Sequence, residues 1–212
     1  DQIICIIPAA GQGLRMGAAV PKQYLSIGGR VILELTLDAL AACQPREMIV
    51  ALNDNDEYFS GLHFDYPVRT VVGGRQRSES VLNALKTVNA TEDSLVLVHD
   101  GVRPCLRFED IKALVTVLDA HPVGGCLAVP VRETVKRVNR DDVVATLDLS
   151  QLWLAQTPQV FRFGILKQAL TQFPDSTDEA SAIEQLGLQP RVVQGHSDNI
   201  KITTGEDLVM AE

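Results

Sequence analysis

Cysteine is scarce in this 212-residue chain, and none of its four, Cys5, Cys43, Cys105 and Cys126, falls in a Cys-x-x-Cys pair. That spacing excludes a disulfide frame or a zinc ribbon. Cys5 and Cys126 lie in apolar strand-like runs, so the thiols read as reduced, space-filling residues of a reducing compartment. Basic charge is also in short supply: 19 Lys and Arg against 27 Asp and Glu leave a net charge of −8. A broad nucleic-acid or anionic-membrane surface would need the opposite balance, so no nucleic-acid partner is expected and any basic cluster is local. No apolar stretch approaches the ~20 residues of a membrane span, and no signal-peptide pattern precedes the first apolar run. The chain begins at Asp1 without Met, which keeps a removed leader open. What is present is 46% hydrophobic residues over a length that suits one domain with an appendage.

The most informative segment is Pro8-Ala-Ala-Gly-Gln-Gly-Leu-Arg-Met16, entered from the apolar run Ile3–Ile7 and followed by Pro21-Lys-Gln-Tyr24. A buried strand that emits small residues can turn its backbone N–H groups on an anion, with no side chain in the way. Arg15 and Lys22 bring two cations to the same charge, which predicts nucleoside triphosphate chemistry. The Walker loop is excluded, because no Gly-Lys-Ser/Thr follows. A dinucleotide fingerprint fits only Gly11 and Gly13, since Met16 takes the third glycine position and the first acidic residue after the loop, Glu34, lies in a predicted helix.

Short apolar runs at Ile3–Ile7, Met48–Leu52, Val68–Val72, Leu95–Val98, Cys126–Val131 and Arg191–Val193 read as strands, most of them nearly continuous as expected of strands covered on both faces. Helical spacing marks Ile32–Ala42, Ser78–Val88, Glu109–Leu118 and Arg162–Phe173 between them. The alternation predicts an α/β fold with a doubly wound, mostly parallel sheet, whose ligands sit beyond the carboxyl ends of the strands. One segment breaks it. Val131–Val138 and Val143–Leu149 flank the polar turn Asn139-Arg-Asp-Asp142 and read as a protruding β-hairpin arm at about 131–149 on a single domain spanning 1–212. A lone hairpin is marginal in water, so it must lie on the body or on a second subunit, and the latter predicts a dimer.

Gly73-Gly-Arg-Gln-Arg-Ser-Glu-Ser80 joins a strand to a helix; its amides and the Ser80 hydroxyl suit a base or ribose, or else it is a turn with a capping serine. Asp100, directly after an apolar strand, can hold a divalent cation or pair with Arg103 to close the loop. His99 has no second His or Cys at zinc spacing and reads as structural. Thr177-Asp-Glu-Ala-Ser181 reads as a helix entrance capped by Thr177, and Lys201 falls in a β-prone run, Asp198–Thr203.

Seven motifs in order, Pro8-Ala-Ala-Gly-x-Gly-x-Arg-Met16, Pro21-Lys-Gln-Tyr24, Gly73-Gly-x-x-Arg-x-x-Ser80-Val81, His99-Asp-x-x-Arg-Pro104, Leu152-Trp-x-x-Gln-Thr-Pro-Gln159, Thr177-Asp-Glu-Ala-Ser181 and Asp198-Asn-Ile-Lys201, span nearly the whole chain. Together they resemble the 2-C-methyl-D-erythritol 4-phosphate cytidylyltransferase family. The resemblance implies a Rossmann-like nucleotidyltransferase fold and transfer of CMP from CTP to methylerythritol phosphate with release of pyrophosphate, in non-mevalonate isoprenoid synthesis. It implies Mg²⁺ as cofactor, a homodimer joined through the arm, no membrane partner, and a cytoplasmic enzyme, or one of the plastid stroma if a leader is removed. It further implies Arg15 and Lys22 as transition-state cations and Lys201 as the residue that positions the sugar phosphate. Ala9, Ala10, Gly11, Gly13, Gly74, Ser80 and Asp100 fall on the nucleotide side, with Asp100 the possible metal contact beside the triphosphate, and Arg103 and Thr134 on the substrate side, Thr134 reaching the partner subunit's site. The attacking group is a phosphate oxyanion, so no strong general base is required, in keeping with a chain that has no obvious Ser/His/Asp set.

One departure stands out. Where the family pattern has an arginine after Asp148, this chain has Leu149. Leucine cannot bind an anion, so a bidentate phosphate contact is lost unless Arg132, Lys136 or Arg137 compensates. That keeps two other readings in view, a ribitol-5-phosphate (pentitol-phosphate) cytidylyltransferase and a CTP-binding protein with weakened catalysis.

Overall fold

The computed structural model describes residues 3–11 and 20–212. In chain order its elements are β1 (Ile4–Pro8), β2 (Ser26–Ile27), β3 (Arg30–Val31), α1 (Ile32–Ala41), β4 (Glu47–Leu52), β5 (Arg69–Val72), α2 (Arg77–Lys86), β6 (Leu95–Val98), α3 (Phe108–Asp119), β7 (Gly124–Pro130), β8 (Lys136–Asn139), β9 (Asp142–Thr146), β10 (Trp153–Arg162), α4 (Phe163–Gln172), α5 (Glu179–Gln185), β11 (Arg191–Gln194) and α6 (Gly205–Ala211), with short 3₁₀ turns at Lys22–Tyr24 and Phe59–Gly61. Seven strands form one sheet in the order β11-β7-β10-β6-β1-β4-β5.

Alternation along β1 explains why helices cover both faces. Cys5 and Ile7 pack with Leu33, Leu37 and Leu40 of α1 and with Ile111, Leu114 and Leu118 of α3. Ile4 and Ile6 point the other way, onto Val81 and Leu85 of α2 and Leu166 and Leu170 of α4. At roughly 25 cal/mol per Å² of apolar surface, each such side chain contributes about 2 kcal/mol. A strand buried on both sides therefore reads as a continuous apolar run, as β1, β4 and β6 do.

The chain moves from β1 outward through β4 to β5, then returns to place β6 on the opposite side of β1. The carboxyl ends of β1 and β6 thus open on a crevice at the reversal of strand order, where ligands bind in open α/β sheets. All six predicted sheet strands and all four predicted helices form, with ends displaced by a few residues at most.

Two elements depart from expectation. β10 is a ten-residue strand antiparallel to β6 and β7, where no strand is predicted, and its register breaks between Ala155 and Gln159. Its buried face includes Gln156, Thr157 and Gln159, so hydrophobic periodicity is missing. The segment carrying Lys201, predicted β-prone, forms no strand; Ile202 makes one backbone bond, from its N–H to the Val102 carbonyl at 2.9 Å. β8 and β9 form the predicted hairpin as a separate two-stranded sheet, turning through Arg140 at φ 52°.

Candidate active site

The crevice holds a cavity of about 320 Å³. One wall is the loop after β1, with Ala9, Ala10 and Gly11; the facing wall is the β5–α2 loop, Gly74 to Arg77, with Ser80; Asp100, Lys22 and Lys201 complete it. Gly13 and Arg15 lie outside the described residues. The described part of the first loop is clamped from above. Gln23, buried beside Lys22, donates from Nε2 to the carbonyls of Ala9 (2.8 Å) and Gly11 (3.2 Å).

Local chemistry shapes the second loop. Ser80 Oγ accepts from the Gly74 N–H (2.9 Å) and donates to the Gln76 carbonyl (3.1 Å), while Glu79 accepts from the Arg75 N–H (2.7 Å). Ser80 is thus both a wall of the cavity and the brace of its loop. Gly73 is required by close approach: a Cβ there would stand 2.5 Å from the Ala10 Cβ, so the two loops meet without room for a side chain.

Asp100, buried at the carboxyl end of β6, is the electrostatic centre. Its Oδ1 accepts from Arg77 Nε at 2.7 Å, and its Oδ2 lies 2.9 Å from Lys201 Nζ and 3.5 Å from Arg103 Nε. Burial alone would raise its pKa, but Arg77, Lys201 and Arg103 outweigh that and hold the carboxyl well below the usual carboxylate range. Asp100 thus makes the pair with Arg103 that one reading of it expects, and it also lines the cavity.

Arg103 does not line the cavity. It turns inward, donating from Nη1 to the Asn199 carbonyl at 2.6 Å, and burial lowers its pKa. Asn199 is itself buried and donates to the Thr157 carbonyl at 2.8 Å. Lys201 is thereby held between two anchors, Asn199 on one side and Ile202 on the other. Thr134 is exposed near the base of the arm, outside this cavity.

His99 has the structural role expected of it. Its Nε2 faces the Arg103 carbonyl at 3.1 Å, which can only accept, so Nε2 carries the proton. Its Nδ1 then accepts from Thr157 Oγ1 at 2.9 Å, and the same hydroxyl accepts from the Asp100 N–H at 3.0 Å. Full burial pushes the His99 pKa down to about 4.

Three residues escape sequence reasoning. Arg77, which reads as part of a solvated charge run, bridges Asp100 and the fully buried Glu179. Gln23 is the clamp described above. Glu179 follows Asp178, and Asp178 rather than Thr177 is the N-cap of α5, accepting from the Ser181 N–H at 2.9 Å. The signal for Arg77 is its fixed place three residues before Ser80 in the glycine motif; no signal marks its pairing with Asp100 and Glu179.

Among the described residues no group of three or more His, Cys, Asp or Glu could hold a metal ion. Asp100 is the one carboxylate among the described residues that line the cavity and both its oxygens already face cations, so a hard divalent ion there would take most of its oxygens from a triphosphate.

The match to known proteins covers the full extent of this architecture. The family model for "2-C-methyl-D-erythritol 4-phosphate cytidylyltransferase" (IspD) matches residues 3–212. The chain is 46% identical over 216 residues to the protein of that name from Haemophilus influenzae (strain PittEE), covering 99% of this chain and 95% of that one. It is 48% identical over 214 residues to the one from Pseudomonas entomophila (strain L48), covering 96% and 91%. Among solved structures, the Francisella tularensis 2-C-methyl-D-erythritol 4-phosphate cytidylyltransferase superposes with a TM-score of 0.85 at 37% identity, covering 100% of this chain and 98% of that one. A 4-diphosphocytidyl-2C-methyl-D-erythritol synthase gives 0.87 at 36%, covering 99% and 96%.

Proposed function

The chain belongs to the 2-C-methyl-D-erythritol 4-phosphate cytidylyltransferase family, and we infer from that membership and from the crevice that it transfers CMP from CTP to 2-C-methyl-D-erythritol 4-phosphate. An oxygen of the acceptor phosphate forms a bond to the α-phosphorus of CTP, and the bond from that phosphorus to the bridging oxygen of the β-phosphate breaks. Pyrophosphate carries away the electron pair. No proton need be abstracted, because the attacking oxygen is already anionic at neutral pH. The protein's work is therefore positioning and charge stabilisation.

The carrying observation is the meeting of Lys22, Arg77, Lys201 and Asp100 around one cavity beside the two glycine loops. In this reading the first loop and Gly74 cradle the nucleotide, with Ser80 bracing the base side. Lys22, with Arg15, faces the charge that builds up on the α-phosphate. Lys201 meets the acceptor phosphate, with Arg103 behind it. Asp100 is the residue that would hold a divalent cation such as Mg²⁺ beside the triphosphate, and the ion would supply charge neutralisation at the phosphates. The test is pyrophosphate release with CTP and methylerythritol phosphate, run beside ribitol phosphate. Turnover confined to ribitol phosphate, or tight CTP binding with no turnover, would replace this reading; the relatives favour methylerythritol phosphate.

Leu149 supplies a quantitative check. It is half-buried at the base of the arm, where its carbonyl accepts from the Leu152 N–H at 3.1 Å. Of the neighbouring cations, Lys136 already donates to Thr146 Oγ1 at 2.7 Å, whereas Arg132 and Arg137 are exposed. A charge-assisted phosphate contact is worth roughly 1.5–3 kcal/mol. Leu149→Arg is accordingly expected to lower the KM for the sugar phosphate about tenfold or more, with the KM for CTP within about twofold. Unchanged constants would show that the phosphate is held elsewhere.

The arm suits a dimer of one domain per subunit. Val138, Val143 and Val144 on the hairpin and Trp153 and Leu154 at the start of β10 are all exposed, apolar side chains that a second subunit would cover. Thr134 on the same arm would then reach the partner's crevice. Sedimentation is expected to give a dimer, and Val143→Asp with Leu154→Asp a monomer of much lower activity; a wild-type monomer with full activity would remove the arm from the mechanism. The working compartment in this reading is the cytoplasm.

A further inference from the structure

The proposed reaction assigns no task to Glu179, yet this carboxylate is completely buried 102 positions along the chain from the residue it holds. Its Oε1 accepts from Arg77 Nη1 at 2.6 Å, and Arg77 Nε in turn donates to Asp100 Oδ1 at 2.7 Å. The other oxygen of Asp100 takes Lys201 at 2.9 Å, with Arg103 Nε farther off at 3.5 Å. Four side chains from α5, α2, the loop after β6 and the segment before α6 thus form one line: Glu179, Arg77, Asp100, Lys201.

We propose that Glu179 is a positioning residue that keeps Arg77 from taking both oxygens of Asp100, and so sets where Lys201 stands in the crevice. Arg77 is a fork with more donors than it uses here, and its Nη2 is buried without a hydrogen-bond partner. Asp100 offers a second oxygen close by. The side-on fork that arginine offers a carboxylate is Nε with Nη2, and the pull of Glu179 on Nη1 turns the guanidinium so that Nε alone reaches Asp100 and Nη2 stays off the second oxygen. Burial pushes the Glu179 carboxyl up, while Arg77 at 2.6 Å favours its charged form. The anchor itself does not drift. The Gln159 amide donates to Asp178 Oδ2 and its Oε1 accepts from the Ala180 N–H, both at 2.9 Å, tying the start of α5 to β10.

With the Glu179 charge removed, Arg77 has one carboxylate left to attract it. It closes on Asp100, Lys201 loses its partner, and Nζ moves off its place facing the acceptor. This deepens the cytidylyl-transfer reading, on which its kinetic part rests, but the displacement of Lys201 can be read without any turnover.

Lys201 is about 40% exposed and open to labelling. Reductive methylation with formaldehyde and cyanoborohydride, followed at Lys201 by peptide mass spectrometry, is expected to run at least threefold faster in Glu179→Gln than in the unaltered protein. Adding Arg77→Gln to that variant removes the intruding guanidinium and should bring labelling back to within about 1.5-fold of the original rate, which general loosening of the fold would not do. Equal rates in all three proteins, or a double variant that labels faster still, would overturn the proposal. Should Glu179→Gln not fold, Glu179→Asp keeps the charge but draws it back by one methylene, and a twofold increase is expected there, no increase again counting against the idea. Where the protein turns over, Glu179→Gln should lower kcat/KM for the sugar phosphate about tenfold in the native background and less than twofold in Lys201→Met. The same loss in both backgrounds would make Glu179 a merely structural residue. An inactive wild-type protein would instead reject the reaction assignment and leave the labelling to decide.

Discussion

Asp100→Asn is expected to lower kcat/KM by at least about a hundredfold and to destabilise the fold by about 3 kcal/mol. The carboxylate balances three cations, Arg77, Lys201 and Arg103, inside a largely buried cluster. Asparagine keeps the shape but replaces one of the two accepting oxygens with an N–H₂ group, which faces a cation with its positive end. The remaining positive groups then repel one another in a medium that screens them poorly. Breaking one partner out of a buried pair costs more than the pair was worth, because the survivors cannot return to water. The pKa direction fixes the sign with pH. The folded carboxyl sits below its unfolded value, so its stabilisation is complete at neutral pH and is lost as the pH falls from the unfolded value through the folded one, where the unfolded chain takes up a proton that the native state refuses. A loss of about 3 kcal/mol corresponds to a melting temperature lower by ~6–12 °C for a chain of this size. Thermal unfolding and pyrophosphate release measured on one preparation check both halves. A variant that melts with the wild type and keeps a tenth of its activity would displace Asp100 from the centre of the site.

The two halves of that expectation were unequally legible in the sequence. Asp100 stands out because a charge directly after Leu95-Val-Leu-Val98 must sit at the carboxyl end of a buried strand. The central parallel strands β1 and β6 and their covering helices are readable for the same reason: burial on both faces leaves the run apolar. β10 is hidden by the converse. Its exposed start, Trp153 to Ala155, is apolar, and its buried middle is amide, hydroxyl and proline, so neither alternation nor continuity marks it. Ile200-Lys-Ile202 deceives in the other direction, since alternation there reflects one buried anchor, Ile202, and a lysine facing the crevice rather than a ladder of hydrogen bonds. Arg77 is the more instructive omission. Flanked by Arg75 and Glu79 it resembles a solvated charge run, and only the fold brings Asp100 and Glu179, 23 and 102 positions away, onto its two sides. Side chains on one element announce themselves by spacing, whereas a buried charge line assembled from four elements has no local pattern to read.

The second large effect is acid instability centred on His99. Its folded pKa is about 4 against an ordinary 6.5, because the ring is fully buried and both its nitrogens are already committed as a neutral imidazole. Above pH 6.5 neither the folded nor the unfolded chain protonates it, and nothing is lost. Between 6.5 and 4 the unfolded chain takes up a proton that the native state refuses, so stability falls as the pH falls. The full displacement is worth about 3 kcal/mol, lost at up to ~1.4 kcal/mol per pH unit. His99→Asn removes the titrating ring while leaving an oxygen near the place where Nδ1 accepts from Thr157. Urea unfolding of both proteins from pH 7 to 4 is expected to show a lower starting stability in the variant but a shallower decline. The carboxylates common to both proteins cancel in the difference, so parallel curves would mean that His99 charges freely in the native state. The consequence reaches the crevice through Thr157, whose hydroxyl serves His99 and the Asp100 N–H together. A proton on Nδ1 turns an acceptor into a donor, reverses the Thr157 hydroxyl, and takes away the proton it had given to the ring. The backbone that carries Asp100 then loses a fixed reference, so activity should hold while stability declines from pH 6.5 and fall only near pH 4, where the native ring takes up its proton and Asp100 itself is still ionised.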